Sequence, residues 1–126
     1  MARIKIKKHF FQRAIPILPI KKKWFDMIKS GEKTEEYREI KPYWTKRFYK
    51  AFDGLTLIRD EETWQIYYIK HAHHGSVLLR NGYRKNAPMI FCDIELCVGY
   101  GKKEWGANPN QMYYILKIKS IEEVEN

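Results

Sequence analysis

Cysteine is scarce in this chain of 126 residues, which has only Cys92 and Cys97. So few thiols exclude a disulfide-stapled scaffold, and a chain of this length builds its own core. A reducing, cytoplasmic setting is therefore the expectation. The interval between the two cysteines is odd, so on one strand they point to opposite faces. Neither they nor His71, His73 and His74 match a zinc ribbon or finger, and that histidine cluster reads as a polar loop. No metal and no cofactor is expected. Phosphate-binding glycine patterns are missing too: Gly99-Tyr100-Gly101 lacks a third glycine and a following helix. No apolar run approaches the roughly 20 residues of a membrane-spanning helix. Met1 to Lys8 is basic but lacks the continuous apolar stretch of a signal peptide, so no membrane partner is expected.

Negative charge is also short, but only locally. Residues 1–50 carry 15 Lys and Arg against 5 Asp and Glu, whereas residues 51–126 carry 9 against 10. The whole net charge of +9 therefore comes from the first half. Such asymmetry points to a positive face and a polyanionic partner, or else to a solvated lysine-rich surface. Against these shortages, apolar residues make up 44% of the chain, with four Trp, nine Tyr and six Phe. Disorder is excluded, and a single domain over 1–126, with its core at about 15–124, is expected.

Arg3 to Lys7 alternates basic and apolar residues, as a short strand does. Ile15 to Ile20 holds Pro16 and Pro19, which confine it to a sheet edge or an extended lead-in. Lys21 to Ser30 reads as an amphipathic helix with Trp24, Phe25, Met27 and Ile28 apolar, Trp24 and Phe25 facing the core. Gly31 stands where a C-terminal glycine belongs. Lys33 to Glu39 follows as a strand, and Pro42 to Lys50 as a second helix with proline in its first turn. Asp53-Gly54 marks a turn and Leu55 to Arg59 a strand. Asp60 to Tyr68 is open between helix and strand. Ser76 to Arg80 and Met89 to Tyr100 are strands, the second with Cys92, Ile94, Leu96 and Val98 on one face and Asp93, Glu95 and Cys97 on the other. Lys102 to Gln111 reads as a polar loop, and Met112 to Ile118 as a closing strand with Tyr114, Leu116 and Ile118 inward. The acidic tail from Glu122 is expected to fray. Helix and strand spacings do not repeat, which argues against a doubly wound sheet. The expected fold is α+β: a small, curved, partly closed β-barrel of five or six strands with two or more helices against it.

The chemistry concentrates in Gly31-Glu32-Lys33-Thr34-Glu35-Glu36-Tyr37-Arg38-Glu39. In a strand, Thr34, Glu36 and Arg38 share one face and Glu35, Tyr37 and Glu39 the other. Charges on both faces mean either an exposed edge with weak surface ion pairs or a row lining a cleft. A desolvated Lys33 beside a carboxylate is a candidate base or nucleophile, and Arg38 a candidate fork for phosphate or a planar base. Tyr43 and Trp44, set among lysines, are candidates for stacking bases of single-stranded nucleic acid.

The segment Leu18 to Trp44 resembles the ASCH domain family of the PUA-like superfamily, whose pattern is a helix, Ser/Ala-Gly-x-Lys-Thr, and a strand ending in arginine. Here those positions are Ser30, Gly31, Lys33, Thr34 and Arg38. The likeness extends over Ile15 to Val124. It implies a β-barrel with a cleft beside the first helix and an association with RNA or modified nucleosides. Some members are amidohydrolases acting on acylated cytidine and others are linked to RNA cleavage, so the resemblance also implies an enzyme in which Lys33 is catalytic. The hydrolase type has threonine three residues after the lysine, whereas this chain has Glu36, and the further glutamate of that type has Glu95 and Glu104 as candidates. The segment Asp60 to Ser76 makes this chain longer than the compact hydrolase type.

The leading expectation is thus RNA or nucleotide-like ligand binding through Lys33, Glu36, Arg38, Tyr43 and Trp44, with Lys21, Lys22 and Lys23 adding long-range attraction. Binding should be salt-sensitive, and Lys33→Ala and Arg38→Ala should weaken it without loss of folding. The alternative is a hydrolase acting on an acylated nucleoside or on RNA, with Lys33 and Glu36 catalytic. A third reading is a protein-interaction module that uses the basic face to hold an acidic partner.

Overall fold

The computed structural model of the chain describes residues 3–5, 15–52, 55, 57–59, 62, 66–69 and 73–125, with the backbone alone described at 3–5, 57–59, 66–69 and 125. The elements run β1 (Arg3–Lys5), β2 (Ile17–Ile20), α1 (Lys22–Lys29), β3 (Glu35–Glu39), α2 (Pro42–Ala51), β4 (Leu57–Arg59), β5 (Ile66–Ile69), β6 (His73–Asn81), β7 (Met89–Tyr100) and β8 (Met112–Glu125). A turn of 3-10 helix, Lys103–Trp105, lies between β7 and β8.

Six strands make one mixed sheet in the order β1-β8-β7-β6-β2, with β3 also paired to β8. β2 runs parallel to β6 and β1 parallel to β8; the other pairings are antiparallel. β4 and β5 form a separate ribbon. The long sheet curls into a partly closed barrel with the two helices packed against it, the expected α+β architecture.

The core follows from the alternation along the strands. Ile90, Cys92, Ile94 and Leu96 of β7 are buried in a row, and Val77, Leu79, Tyr114 and Leu116 bury against them from the flanking strands. α1 contributes Phe25 and Ile28, one turn apart, and α2 contributes Phe48. Leu18 and Ile20 of β2 complete the wall. Pro19 causes no loss there because β2 ends the sheet order. α1 stops at Gly31, whose φ of 85° is a left-handed cap, and the Gly31 N–H donates to the Ile28 carbonyl. The Lys33 N–H then donates to the Met27 carbonyl at 2.9 Å, which fixes the turn from helix to β3.

Several expectations are corrected. His73, His74 and Gly75 belong to β6 and are not loop, because they pair with Leu96, Glu95 and Ile94 in the middle of the sheet; His71 lies outside the described residues. β8 runs on to Glu125 and does not fray after Glu122. It pairs with β7 and β1 around Glu123, and Glu123 meets Lys29 at 2.9 Å. Within Asp60 to Tyr68 the described backbone from Ile66 is strand. The Asp53-Gly54 turn lies outside the described residues. β3 starts at Glu35, two residues later than expected. Among the described residues no helix is long and apolar enough to cross a membrane.

Candidate ligand-binding cleft

β3 is held by β8 through Glu36↔Leu116 and Arg38↔Tyr114, so Glu36 and Arg38 point the same way as the buried residues of β8. The charged row therefore does not face open water. Lys33 is 1% exposed and Glu36 is also buried. The Lys33 Nζ donates to Glu36 Oε1 at 2.6 Å and to the Glu35 carbonyl at 2.6 Å. The other Glu36 oxygen accepts from Arg38 Nη2 at 2.9 Å. Lys33 and Arg38 thus share one carboxylate inside the fold.

Arg38 has a second duty. Its Nη2 donates to the Pro19 carbonyl at 3.0 Å, joining β3 to β2, strands that border opposite ends of the sheet. The guanidinium lies 4.8 Å from the ring centroid of Trp44. Arg38 Nε is buried without a hydrogen-bond partner among the described residues. An unpaired buried donor costs about 1–3 kcal/mol.

Beside this row is a cleft of about 340 Å³, lined by Trp24, Glu36, Tyr37, Arg38, Glu39, Lys41, Trp44, Trp105, Gly106 and Tyr113. Tyr37 is fixed at its hydroxyl, which donates to Glu35 Oε1 and accepts from the Lys102 N–H. Burial pushes that phenol well above its usual range. Gly106, at φ 96°, brings the loop so close to Trp24 that a Cβ there would stand 3.0 Å from the indole.

Lys33 stands behind this cleft. Its Nζ is 5.4 Å from the rings of both Trp24 and Tyr37, and its own groove is another one, shared with Ser30, Gly31 and Thr34. Burial lowers its pKa, with Glu36 opposing that shift. Lys33→Ala removes a buried, bonded group and Arg38→Ala a part-buried one, so both variants should lower stability as well as binding. Tyr43 is 50% exposed, but the Arg47 guanidinium covers its ring at 3.4 Å and Trp44 meets it edge-on at 4.8 Å. Lys21, Lys22 and Lys23 are exposed and line neither this cleft nor its neighbour beyond Trp44. Glu95 lies in a row with Lys117 and Glu35, on the sheet face opposite Glu36. Glu104 sits in the 3-10 turn beside Trp105.

Beyond Tyr37, Glu39 and Gly106, which are also not sequence candidates, four lining residues escape a sequence reading. Trp24 belongs to the cleft and is half-buried, packed against the core, whereas Phe25 is buried in it. Trp105, Lys41 and Tyr113 are the others. The available signal was a tryptophan before a glycine in an otherwise polar loop, where burial gives no reason for an indole.

Fold and cleft together define a small α+β half-barrel with a charged, tryptophan-lined groove where β2 and β3 approach. No family model, curated protein or solved structure matches the chain.

Proposed function

We propose that this chain binds RNA or a nucleotide-like ligand in the Trp24–Arg38–Trp105 cleft, as an ASCH-type, PUA-like domain. The observation that carries the reading is the buried Lys33–Glu36–Arg38 chain. Glu36 pairs with both Lys33 and Arg38, and it fixes Arg38 at a wall shared with three tryptophans. Arg38 and Lys41 meet phosphate or carbonyl oxygens, and the indoles supply apolar faces for a base. In this assignment Lys33 positions Glu36, and Glu36 positions Arg38.

The test is tryptophan fluorescence and amide chemical shifts of the full chain titrated with short single-stranded RNA at two salt concentrations. Lys41→Ala is the preferred variant because Lys41 is exposed and lines the cleft. Shifts at Trp24, Arg38, Trp44 and Trp105 that weaken with salt, and several-fold weaker binding by Lys41→Ala, are expected. Absence of shifts at low salt would refute the reading.

One observation favours a second reading, a hydrolase of acylated nucleosides or RNA. Burial lowers the Lys33 pKa and so brings its neutral amine within reach. Its Nζ is engaged by Glu36 and the Glu35 carbonyl, so that reading requires the ligand to displace one of them. Product formation from an acylated cytidine, lost in Lys33→Met, is its test.

A further inference from the structure

A second cleft of about 500 Å³ adjoins the first and is lined by Ile17, Pro19, Arg38, Lys41, Pro42, Tyr43, Trp44 and Tyr83. Arg38, Lys41 and Trp44 line both, so these three form the ridge between them. The ridge carries two cations, Arg38 paired with Glu36 and Lys41 in an exposed 3.5 Å pair with Glu39 that a phosphodiester can replace, and aromatic surface lies on either side of it. A single nucleic-acid strand has the complementary repeat: a flat base, an anionic phosphodiester, a flat base.

The outer cleft has unusual exposure for its chemistry. Tyr83 is 84% exposed and Ile17 39% exposed, whereas large apolar side chains are more often covered. Tyr83 also hangs from a fixed support. It follows Gly82, whose N–H donates to the carbonyl of Ile20 in β2 and whose carbonyl accepts from Arg80 Nε. The ring is thus presented by an anchored turn, and little ordering is lost when a base stacks on it.

We infer that the site takes at least two consecutive nucleotides of a single strand, one base in the Trp24–Trp105 cleft, the phosphodiester over Arg38 and Lys41, and the next base against Tyr83. The inference rests on the proposed function and narrows it, since a free nucleoside leaves the outer cleft empty.

The test compares AMP with the dinucleotide ApA, and UMP with UpU, on the full chain. A monophosphate carries more negative charge than the single phosphodiester of a dinucleotide, so a preference for the dinucleotide cannot come from charge. About tenfold tighter binding of the dinucleotide is expected, in line with one added stacked base. Tyr83→Ala, at an exposed position that spares the fold, should shrink that ratio to below about threefold. Equal affinity for mono- and dinucleotide, or an unaltered ratio in Tyr83→Ala, overturns the inference while leaving ligand binding intact. Failure of all four probes to bind overturns both the inference and the function it rests on.

Discussion

Glu36 is the residue on which the site turns, because its two oxygens hold two cations that burial would otherwise leave unpaired. Breaking a buried ion pair from one side costs about 3–5 kcal/mol, against at most about 1 kcal/mol for an exposed pair. Glu36→Gln should therefore lose about 3 kcal/mol in urea unfolding, within that buried range. Lys33→Met should lose less, because methionine fills the same space and Glu36 keeps Arg38. The pH dependence follows from Lys33. Its folded pKa lies below its unfolded one, so between the two values the unfolded chain binds more protons. Stability from this group accordingly rises as pH climbs through that window and is lost as Lys33 becomes charged. The alkaline rise should vanish in Lys33→Met. In Glu36→Gln it should begin at lower pH, because the carboxylate that raises the pKa is gone. An identical pH profile in all three proteins would show that Lys33 is not desolvated.

At the scale of elements, the loop after β7 shapes one wall of the cleft. A Cβ at Gly101 would lie 2.7 Å from the Tyr37 ring and 2.7 Å from the Ala107 Cβ. Gly101→Ala should push Tyr37 off the Lys102 N–H, cost about 1–3 kcal/mol as other overpacked sites do, and weaken ligand binding several-fold; thermal unfolding and RNA titration measure the two effects. The sequence made the helices and β7 legible because their evidence is local: period, proline at the start of α2, glycine after α1. It also brought Lys33, Glu36, Arg38 and Trp44 forward as candidates. The long reach of β8 was not legible, because Glu122 to Glu125 is acidic and polar and is held by partners elsewhere in the chain, β7 and β1. Trp24 packs against the core as expected, and its second place, in the cleft wall, was not legible for a related reason. Helical periodicity places it near the core stripe, and only the arrival of Gly106 from the far loop turns that indole into cleft wall. Lys33 looked like a ligand contact because its neighbours in sequence are charged and polar, whereas its burial depends on how β3 sits against β8.

Over the whole molecule, positive charge is spread unevenly, and its parts act at different distances. Arg38 and Lys41 line the clefts and Lys23 Nζ lies 4.7 Å from the centroid of the Trp24 ring, whereas Lys21 and Lys22 are exposed around the start of α1 and stand at a remove. Charges that touch a ligand govern how long it stays; charges at a remove govern how fast it arrives. Their field extends about 10 Å at 0.1 M salt and about 30 Å at 0.01 M. Replacing Lys21 and Lys22 with glutamine, which keeps the helical propensity of α1, should slow association with a short RNA several-fold at 0.01 M salt. The dissociation rate should change by less than about twofold, and the difference in association should nearly disappear by 0.5 M salt as screening shortens the field. Stopped-flow tryptophan fluorescence separates the two rates. Lys41→Ala provides the contrast, since a contact at the ridge should raise the dissociation rate and lower the slope of log K against log salt by about 0.7 for one lost phosphate contact on a single strand. If the double variant instead sped dissociation while Lys41→Ala did not, the strand would lie along the face of α1, and the ridge between the clefts would lose its role.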